Sequence, residues 1–257
     1  MALALRNSVT RERFDAVLFD LDGVLTATAK VHASCWKKMF DAFLLARAAK
    51  EGKPFRPFDI AEDYGKYVDG KPRFDGVMSF LKTRGMELPY GVPDSPPTED
   101  TVCGLGNRKD ALVDAVLEAE GVEVYDGTMQ WLRDIRRLGM KTAVVSSSKN
   151  CRAVLHAAGI EDLFEGRLDG EVAERLELPG KPAPDTYLRA AADLGVHPKR
   201  SVVVEDAISG VQAGRAGGFG LVIGVARHSD REALSRNGAD IVVNDVSELS
   251  VRIDPSL

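Results

Sequence analysis

The sequence predicts an α/β fold, a doubly wound parallel sheet with a helical domain inserted after its first strand. Two patterns point to the sheet. Five short apolar runs recur, at Phe14–Phe19, Met140–Val145, Ser201–Val204, Gly220–Gly224 and Ile241–Val243, each followed by polar or glycine-rich residues. Near-continuous, valine-rich runs of this kind suit parallel strands buried on both faces. Helical patterns lie between them, and strand–helix alternation builds a doubly wound sheet. The third observation is an interruption. Between the first run and Met140 there is a long stretch without a convincing buried strand.

The elements follow in order. Ala29 to Lys50 reads as a long helix, with Val31, Cys35, Trp36, Met39, Phe40, Phe43 and Leu44 on a broad apolar face. Phe74–Thr83 and Arg108–Glu118 read as two more. Proline-rich breaks at Lys53–Phe58 and Pro89–Pro97 separate the three. Residues 29–124 are therefore expected to form the inserted helical domain, with 1–28 and 125–257 forming the α/β core. The connections near Ala27–Ala29 and Val122–Gly127 would be hinges. In the core, Asp126–Arg137 places Met129, Leu132 and Ile135 at helical spacing, and Leu138 follows at the same interval. Asn150–Ala158, Pro184–Leu194, Ala207–Ala216 and Arg231–Asn237 complete the set.

Composition bounds the function. The chain has 257 residues, 44% hydrophobic and 28% charged, with 34 Lys+Arg against 39 Asp+Glu and a net charge of -5. This is the balance of a soluble globular protein, and it argues against a broad nucleic-acid-binding face. The three cysteines, Cys35, Cys103 and Cys151, lack metal-type spacing and read as reduced thiols, which predicts a cytoplasmic location. The apolar start Met1–Leu5 is too short for a signal peptide, and no stretch approaches a membrane span. No zipper is evident, so a monomer is expected.

The chemistry clusters at strand ends. In an open parallel sheet, ligands bind beyond the carboxyl ends of the strands. The first run ends FDLDGVLT, placing Asp20 and Asp22 side by side, with Gly23 free to turn sharply. Two adjacent carboxylates repel unless a cation or a shared proton relieves them. Mg²⁺, which takes oxygen ligands and bridges to phosphate, is the simplest relief. Alone, D-x-D would equally suit a solvated acidic turn. The second run ends VVSSSKN, offering Ser146, Ser147, Ser148, Lys149 and Asn150 at a helix N-terminus; alone, this would be an N-cap. Lys181 lies in GKPAPD, where flanking prolines stiffen the loop and a point charge suits phosphate. The third run ends VVVEDA, adding Glu205 and Asp206. Acid pair, hydroxyl, lysine and acid pair at successive strand–helix junctions share one sheet edge. Together they point to phosphoryl transfer, with an aspartate attacking phosphorus while Mg²⁺, Lys181 and Ser146 hold the oxygens.

The order Asp20-x-Asp22, Ser146, Lys181, Glu205-Asp206 resembles the haloacid dehalogenase superfamily of aspartyl-phosphate enzymes. The strings FDLDGVLT-x-TA-x-x-H, SSSKN, GKPAPD and EDAISGVQAG resemble its β-phosphoglucomutase branch, over nearly the whole chain. The resemblance implies a Rossmann-like core with a helical cap domain. It implies that Asp20 is the nucleophile and Asp22 the general acid–base. It also implies that Asp20, the main-chain carbonyl of Asp22 and Asp206 hold Mg²⁺, with Glu205 in support, and that Ser146 and Lys181 bind the transferring phosphoryl group. Superfamily dehalogenases and phosphonatases generally lack the second aspartate, so Asp22 argues against both.

A mutase must bind a sugar bisphosphate in either orientation, and the second phosphate needs its own basic pocket. Ser148, Lys149 and Asn150 are candidates. By resemblance, Arg73 stands where the mutases place a distal-phosphate arginine, Arg108 where they place a cap lysine, and His32 where they place a cap histidine. Trp36 could line the sugar site, although packing would also explain it. Ala27 departs from the family's aspartate, removing one hinge acceptor. Three readings result. The first is a β-phosphoglucomutase that interconverts β-D-glucose 1-phosphate and glucose 6-phosphate through glucose 1,6-bisphosphate. The second is a sugar-phosphate phosphatase with the same core. The third is a non-catalytic sugar-phosphate-binding protein, against which the complete acid, hydroxyl and lysine set argues.

Overall fold

The computed structural model describes residues 8–227 and 230–252; the apolar start Met1–Leu5 lies outside them. The chain divides into two compact units, Met1–Ala27 with Val122–Leu257, and Thr28–Gly121.

The first unit is built on a six-stranded parallel sheet. After a short strand β1 (Ser8–Thr10), the central strand β2 (Ala16–Phe19) pairs on one side with β3 (Lys141–Val145) and on the other with β5 (Ser201–Glu205). Strand β4 (Gly166–Leu168) lies outside β3, while β6 (Leu221–Val225) and β7 (Ile241–Val243) extend the sheet beyond β5, giving the order β4-β3-β2-β5-β6-β7. A separate two-stranded sheet pairs β1 with β8 (Ser250–Arg252). The five apolar runs all became strands. Strand β4 had no such signal, because only Leu168 of its three residues is buried.

The order reverses direction at β2, which opens a crevice at its carboxyl end. Phe19 is in register with Val144 and Val204, and the Asp20 amide donates to the Val204 carbonyl at 2.9 Å. The first aspartate is therefore held by the sheet's own hydrogen bonding. Helices fill the crossovers: α4 (Asp126–Arg137), α5 (Cys151–Ala157), α6 (Gly170–Arg175), α7 (Asp185–Asp193), α8 (Ile208–Ala216) and α9 (Arg231–Arg236). Helix α6 was not expected. Asp169 starts it by accepting from the Glu171 and Val172 amides, a local cap in a segment with little apolar periodicity. Leu18, Val145, Tyr187, Val203, Val211 and Val222 form part of the core on one face of the sheet.

The exit and return connections are fastened to each other inside this unit. The Ala27 amide donates to the Glu123 carbonyl at 2.9 Å, Thr26 bridges Val124, and the Tyr125 amide donates to the Leu25 carbonyl. Ala27 thus uses its backbone here, which needs no side-chain acceptor.

The second unit comprises α1 (Ala29–Glu51), a π-helical segment Ile60–Val68, α2 (Arg73–Thr83) and α3 (Val102–Glu120). Helix α3 starts six residues before the expected Arg108, capped by Thr101 on the Gly104 amide. The π-helical segment had no predicted counterpart. Its start is set by Asp59, which accepts from the Ala61 and Glu62 amides. The core of this unit is aromatic. Trp36 stacks on Phe40 with ring centroids 5.3 Å apart, Phe40 stacks on Phe58 at 5.4 Å, and Phe80 closes against both. Gly76 lets α2 approach, since a Cβ there would meet the Trp36 ring at 3.1 Å. No helix among the described residues is long and apolar enough to cross a membrane.

Two predictions follow from packing and charge. Phe40→Ala removes the shared member of the aromatic stack and is expected to destabilise the protein by about 3–5 kcal/mol in urea unfolding. The second concerns Asp15, at the entrance to β2. Hydrogen bonds from the Arg200 guanidinium, together with Arg11, lower its carboxyl from 3.8 to about 2. A carboxylate depressed by folding adds stability above its unfolded pKa and loses it as pH falls towards the folded value. Asp15→Asn is therefore expected to cost stability at pH 6, and the gap to the parent protein should close between pH 4 and 2 in denaturant titrations. Partial exposure keeps the effect small and salt-sensitive.

Candidate active site

The carboxyl edge of the sheet gathers side chains from four junctions. Asp20 follows β2, Ser146 follows β3, Lys181 precedes α7, and Glu205 and Asp206 end β5. All five are buried. The Lys181 ammonium donates to Asp20 Oδ1 at 2.5 Å and to the Val145 carbonyl at 3.0 Å, and lies 2.6 Å from Glu205 Oε1. It therefore reaches three adjacent strands from a loop containing the cis peptide Lys181–Pro182. The Tyr187 hydroxyl donates to Glu205 Oε1 at 2.8 Å, and the Ala207 amide donates to Oε2.

Electrostatics here are unbalanced. Oxygens of Asp20, Glu205 and Asp206 lie within 4.8 Å of one another. Lys181 is the cation bonded to this group. Burial pushes the Asp20 carboxyl well above its ordinary range; Lys181 pulls against that, and the charges of Glu205 and Asp22 add to it. Burial alone would lower the Lys181 ammonium, but Asp20 and Glu205 hold it above its usual value. Burial and the neighbouring Glu205 raise the Tyr187 hydroxyl, so Tyr187 stays a neutral donor. Three clustered carboxylates offer an all-oxygen set whose chemistry suits a hard divalent cation. The space is shaped by glycines. At Gly23, with φ +88°, a Cβ would lie 1.8 Å from Asp206 Oδ2; at Gly210 it would lie 1.8 Å from Glu205 Oε1. Asp22, half-buried in the turn after β2, is not one of the three clustered carboxylates.

The loop after β3 holds Ser146, Ser148, Lys149 and Asn150. The Ser148 amide donates to Ser146 Oγ at 3.1 Å, and the Asn150 amide donates to Ser148 Oγ at 3.1 Å. Lys149 pairs with Glu174. Asn150 Nδ2 is buried without a hydrogen-bond partner among the described residues, although Asn150 stands at the N-cap of α5. A buried amide donor left open in this way costs free energy unless something else accepts from it.

In the helical unit, the expected residues divide. Arg73 Nε donates to Asn107 Oδ1 at 3.0 Å, pairs with Asp110 Oδ2 at 3.2 Å, and covers the Phe74 ring. His32 is buried, with Nδ1 2.9 Å from the Lys109 ammonium. Arg108, expected as the cap cation, instead binds the preceding loop through the Pro97 and Glu99 carbonyls and Asp100. Its neighbour Lys109 is the buried cation of this unit. It pairs with Asp110 at 3.2 Å and lies over the Trp36 ring. A one-residue step on a helix turns the side chain by about 100°, so the adjacent pair Arg108-Lys109 left open which one faces His32. Sequence reasoning missed both Lys109 and Asp110; their signal was the apolar stripe of α3, which runs through Leu105 and Val113 on the same face as Lys109. Trp36, expected near the sugar, is packed in the aromatic core.

The comparisons with known proteins agree with this geometry. The haloacid dehalogenase-like hydrolase family matches residues 14–218. A β-phosphoglucomutase of Mycobacterium bovis is 49% identical over 241 residues, covering 93% of this chain and 92% of that protein. An uncharacterized glycosyl hydrolase of Mycobacterium tuberculosis is 36% identical over 95% of this chain, which spans only 18% of that longer protein. Among solved structures, a β-phosphoglucomutase from Clostridium difficile superposes with a TM-score of 0.71 at 24% identity, covering 92% of this chain and 93% of the other. With the parallel sheet and the four-junction carboxyl edge, these likenesses show that the chain belongs to the haloacid dehalogenase-like hydrolase family, in its β-phosphoglucomutase-like branch.

Proposed function

We propose that the protein is a Mg²⁺-dependent β-phosphoglucomutase, interconverting β-D-glucose 1-phosphate and glucose 6-phosphate through glucose 1,6-bisphosphate. The observation that carries this reading is a second set of cations, separate from the transfer site. Arg73 and Lys109 are both bonded to Asp110 in the helical unit. A hydrolase needs only one phosphate held; a mutase must hold the phosphate that is not reacting.

The chemistry starts with Asp20. Its carboxylate oxygen attacks phosphorus, the bond from phosphorus to the sugar oxygen breaks, and Asp22 gives that oxygen a proton. The aspartyl phosphate passes its phosphoryl group to the free C6 hydroxyl of glucose 1-phosphate, whose proton Asp22 accepts, forming the bisphosphate; attack of Asp20 on the C1 phosphorus of that bisphosphate then releases glucose 6-phosphate and restores the aspartyl phosphate. Lys181 and Ser146 hold the transferring oxygens, which must not share the Lys181 ammonium with solvent; its burial keeps water away. Asp20, Asp206 and the Asp22 main-chain carbonyl would hold Mg²⁺, with Glu205 in support; the ion offsets phosphate charge when bound. Within the helical unit, Arg73 and Lys109 are the cations that would answer the second phosphate, and His32, with Nδ1 2.9 Å from the Lys109 ammonium, sets the orientation of Lys109. Lys109 takes the role expected of Arg108. Cys35 and Cys151 are buried thiols, which accords with the proposed reducing cytoplasm.

The deciding experiment follows glucose 6-phosphate and inorganic phosphate in one tube, starting from β-glucose 1-phosphate, Mg²⁺ and a trace of glucose 1,6-bisphosphate. Isomer without phosphate release is expected; phosphate release without isomer would make the protein a phosphatase. Arg73→Ala is expected to lower kcat/KM about 10–100-fold, the worth of a charge-assisted hydrogen bond of about 1.5–3 kcal/mol. Unchanged mutase activity in that variant would overturn the reading of Arg73. Mg²⁺ is expected to raise the Tm of the parent protein, by a stabilisation of about 2.7 kcal/mol at a hundred times its Kd. Asp206→Asn should remove most of that rise.

A further inference from the structure

The turn that carries Asp22 is bolted from outside by one arginine. Within the turn, the Gly23 amide donates to the Thr26 carbonyl at 2.8 Å, and the Leu25 and Thr26 amides donate back to the Leu21 carbonyl. The carbonyl of Gly23 accepts from Arg227 Nε at 3.1 Å. Arg227 follows β6, on the far side of β5 from the turn. Its guanidinium makes three further contacts. Nη2 donates to Thr128 Oγ1 at 3.1 Å and to Asp245 Oδ2 at 2.6 Å, and the plane stacks on the Tyr125 ring, 3.6 Å from its centroid.

Each partner is itself built in. Thr128 is fully buried in the first turn of α4. Asp245 holds a capping box on the 3₁₀ turn Val246–Glu248, and its approach depends on Gly127, where a Cβ would lie 2.4 Å from Asp245 Oδ1. Burial opposes the Asp245 charge, yet bonds from Ser247 and Arg227 keep its carboxyl below the ordinary range. Tyr125 belongs to the return connection, bonded to the Leu25 carbonyl. The arginine therefore joins the Asp22 turn, the return connection and the loop after β6 through one planar fork, which a lysine could not reproduce.

Asp20 does not share this dependence. Its amide is held by β5 and its carboxylate by Lys181. We propose that Arg227 is a positioning residue for the acid–base aspartate: it fixes the Gly23 carbonyl, and through it Asp22, while the Asp20 carboxylate is held separately by Lys181. The inference rests on the reading of Asp22 as general acid given above. It predicts that losing Arg227 harms most the transfers in which the leaving oxygen needs a proton.

Two phosphoryl donors separate the cases. With acetyl phosphate, the Asp20 oxygen attacks phosphorus and acetate departs with the bonding electrons, requiring no proton. With glucose 1,6-bisphosphate, the departing sugar oxygen must be protonated. Rapid-quench transfer of ³²P to the protein from each labelled donor, in Mg²⁺, gives both rates. For Arg227→Ala the rate from the bisphosphate is expected to fall about 100-fold, as for a misplaced catalytic group. The acetyl phosphate rate should stay within about threefold of the parent. Arg227→Lys, which keeps one donor for the Gly23 carbonyl, should fall between and serves if the alanine variant does not fold. Equal losses with both donors, or no loss with either, would overturn the proposal. Asp22→Asn is the reference. If it shows the donor split and the Arg227 variants do not, the positioning role fails alone; if it shows no split, the acid role of Asp22 fails and the inference falls with it.

Discussion

The Lys181 ammonium, only 2% exposed, sits between Asp20 and Glu205 and against the Val145 carbonyl, and the carboxyl edge of the sheet depends on it. Three neighbouring strands end at this one charge. Taking it out of water costs several kcal/mol, which the surrounding oxygens must return through short, well-aligned bonds. Oxygens of Asp20, Glu205 and Asp206 lie within 4.8 Å of one another around it, an all-oxygen cluster of the kind that could hold a metal ion.

Close approach of the acids is possible only because two neighbours lack side chains. Gly23 and Gly210 leave the volumes that the carboxyl groups of Asp206 and Glu205 occupy. The same device recurs in the second unit, where Gly106 admits Phe74 and Gly104 admits the Glu99 carbonyl. The proline-rich loop is drawn onto the start of α3, where Asn107 donates to the Pro93 and Ser95 carbonyls while accepting from Arg73. Through Asn107 this loop braces Arg73.

What was legible in the sequence was whatever is periodic or local. Buried parallel strands announce themselves as apolar runs, and acids, hydroxyl and lysine at strand ends keep their order along the chain. Strand β4 was hidden because an edge strand of three residues needs little apolar surface. The π-helical segment was hidden because its start is set by Asp59, an ordinary cap that does not specify helix type. Arg108 against Lys109 was a question of helix phase, decided by packing around Leu105 and Val113. Arg227 carried no signal at all. Its partners Gly23, Tyr125, Thr128 and Asp245 come from three places in the chain, and only the folded sheet brings them together.

The transfer site and the cations Arg73 and Lys109 belong to different units, each with its own core. This separates two requirements that would conflict in one. The transfer site must be rigid and dry, so its groups are fixed by strand ends and buried charge. Arg73 and Lys109, which we propose for the second phosphate, stand instead on helices packed around an aromatic cluster. An identical carboxyl edge can then serve a hydrolase or a mutase. On the proposed reading, the difference between them lies away from the edge: in the cations Arg73 and Lys109 of the helical unit, and in how firmly Arg227 holds the turn bearing Asp22.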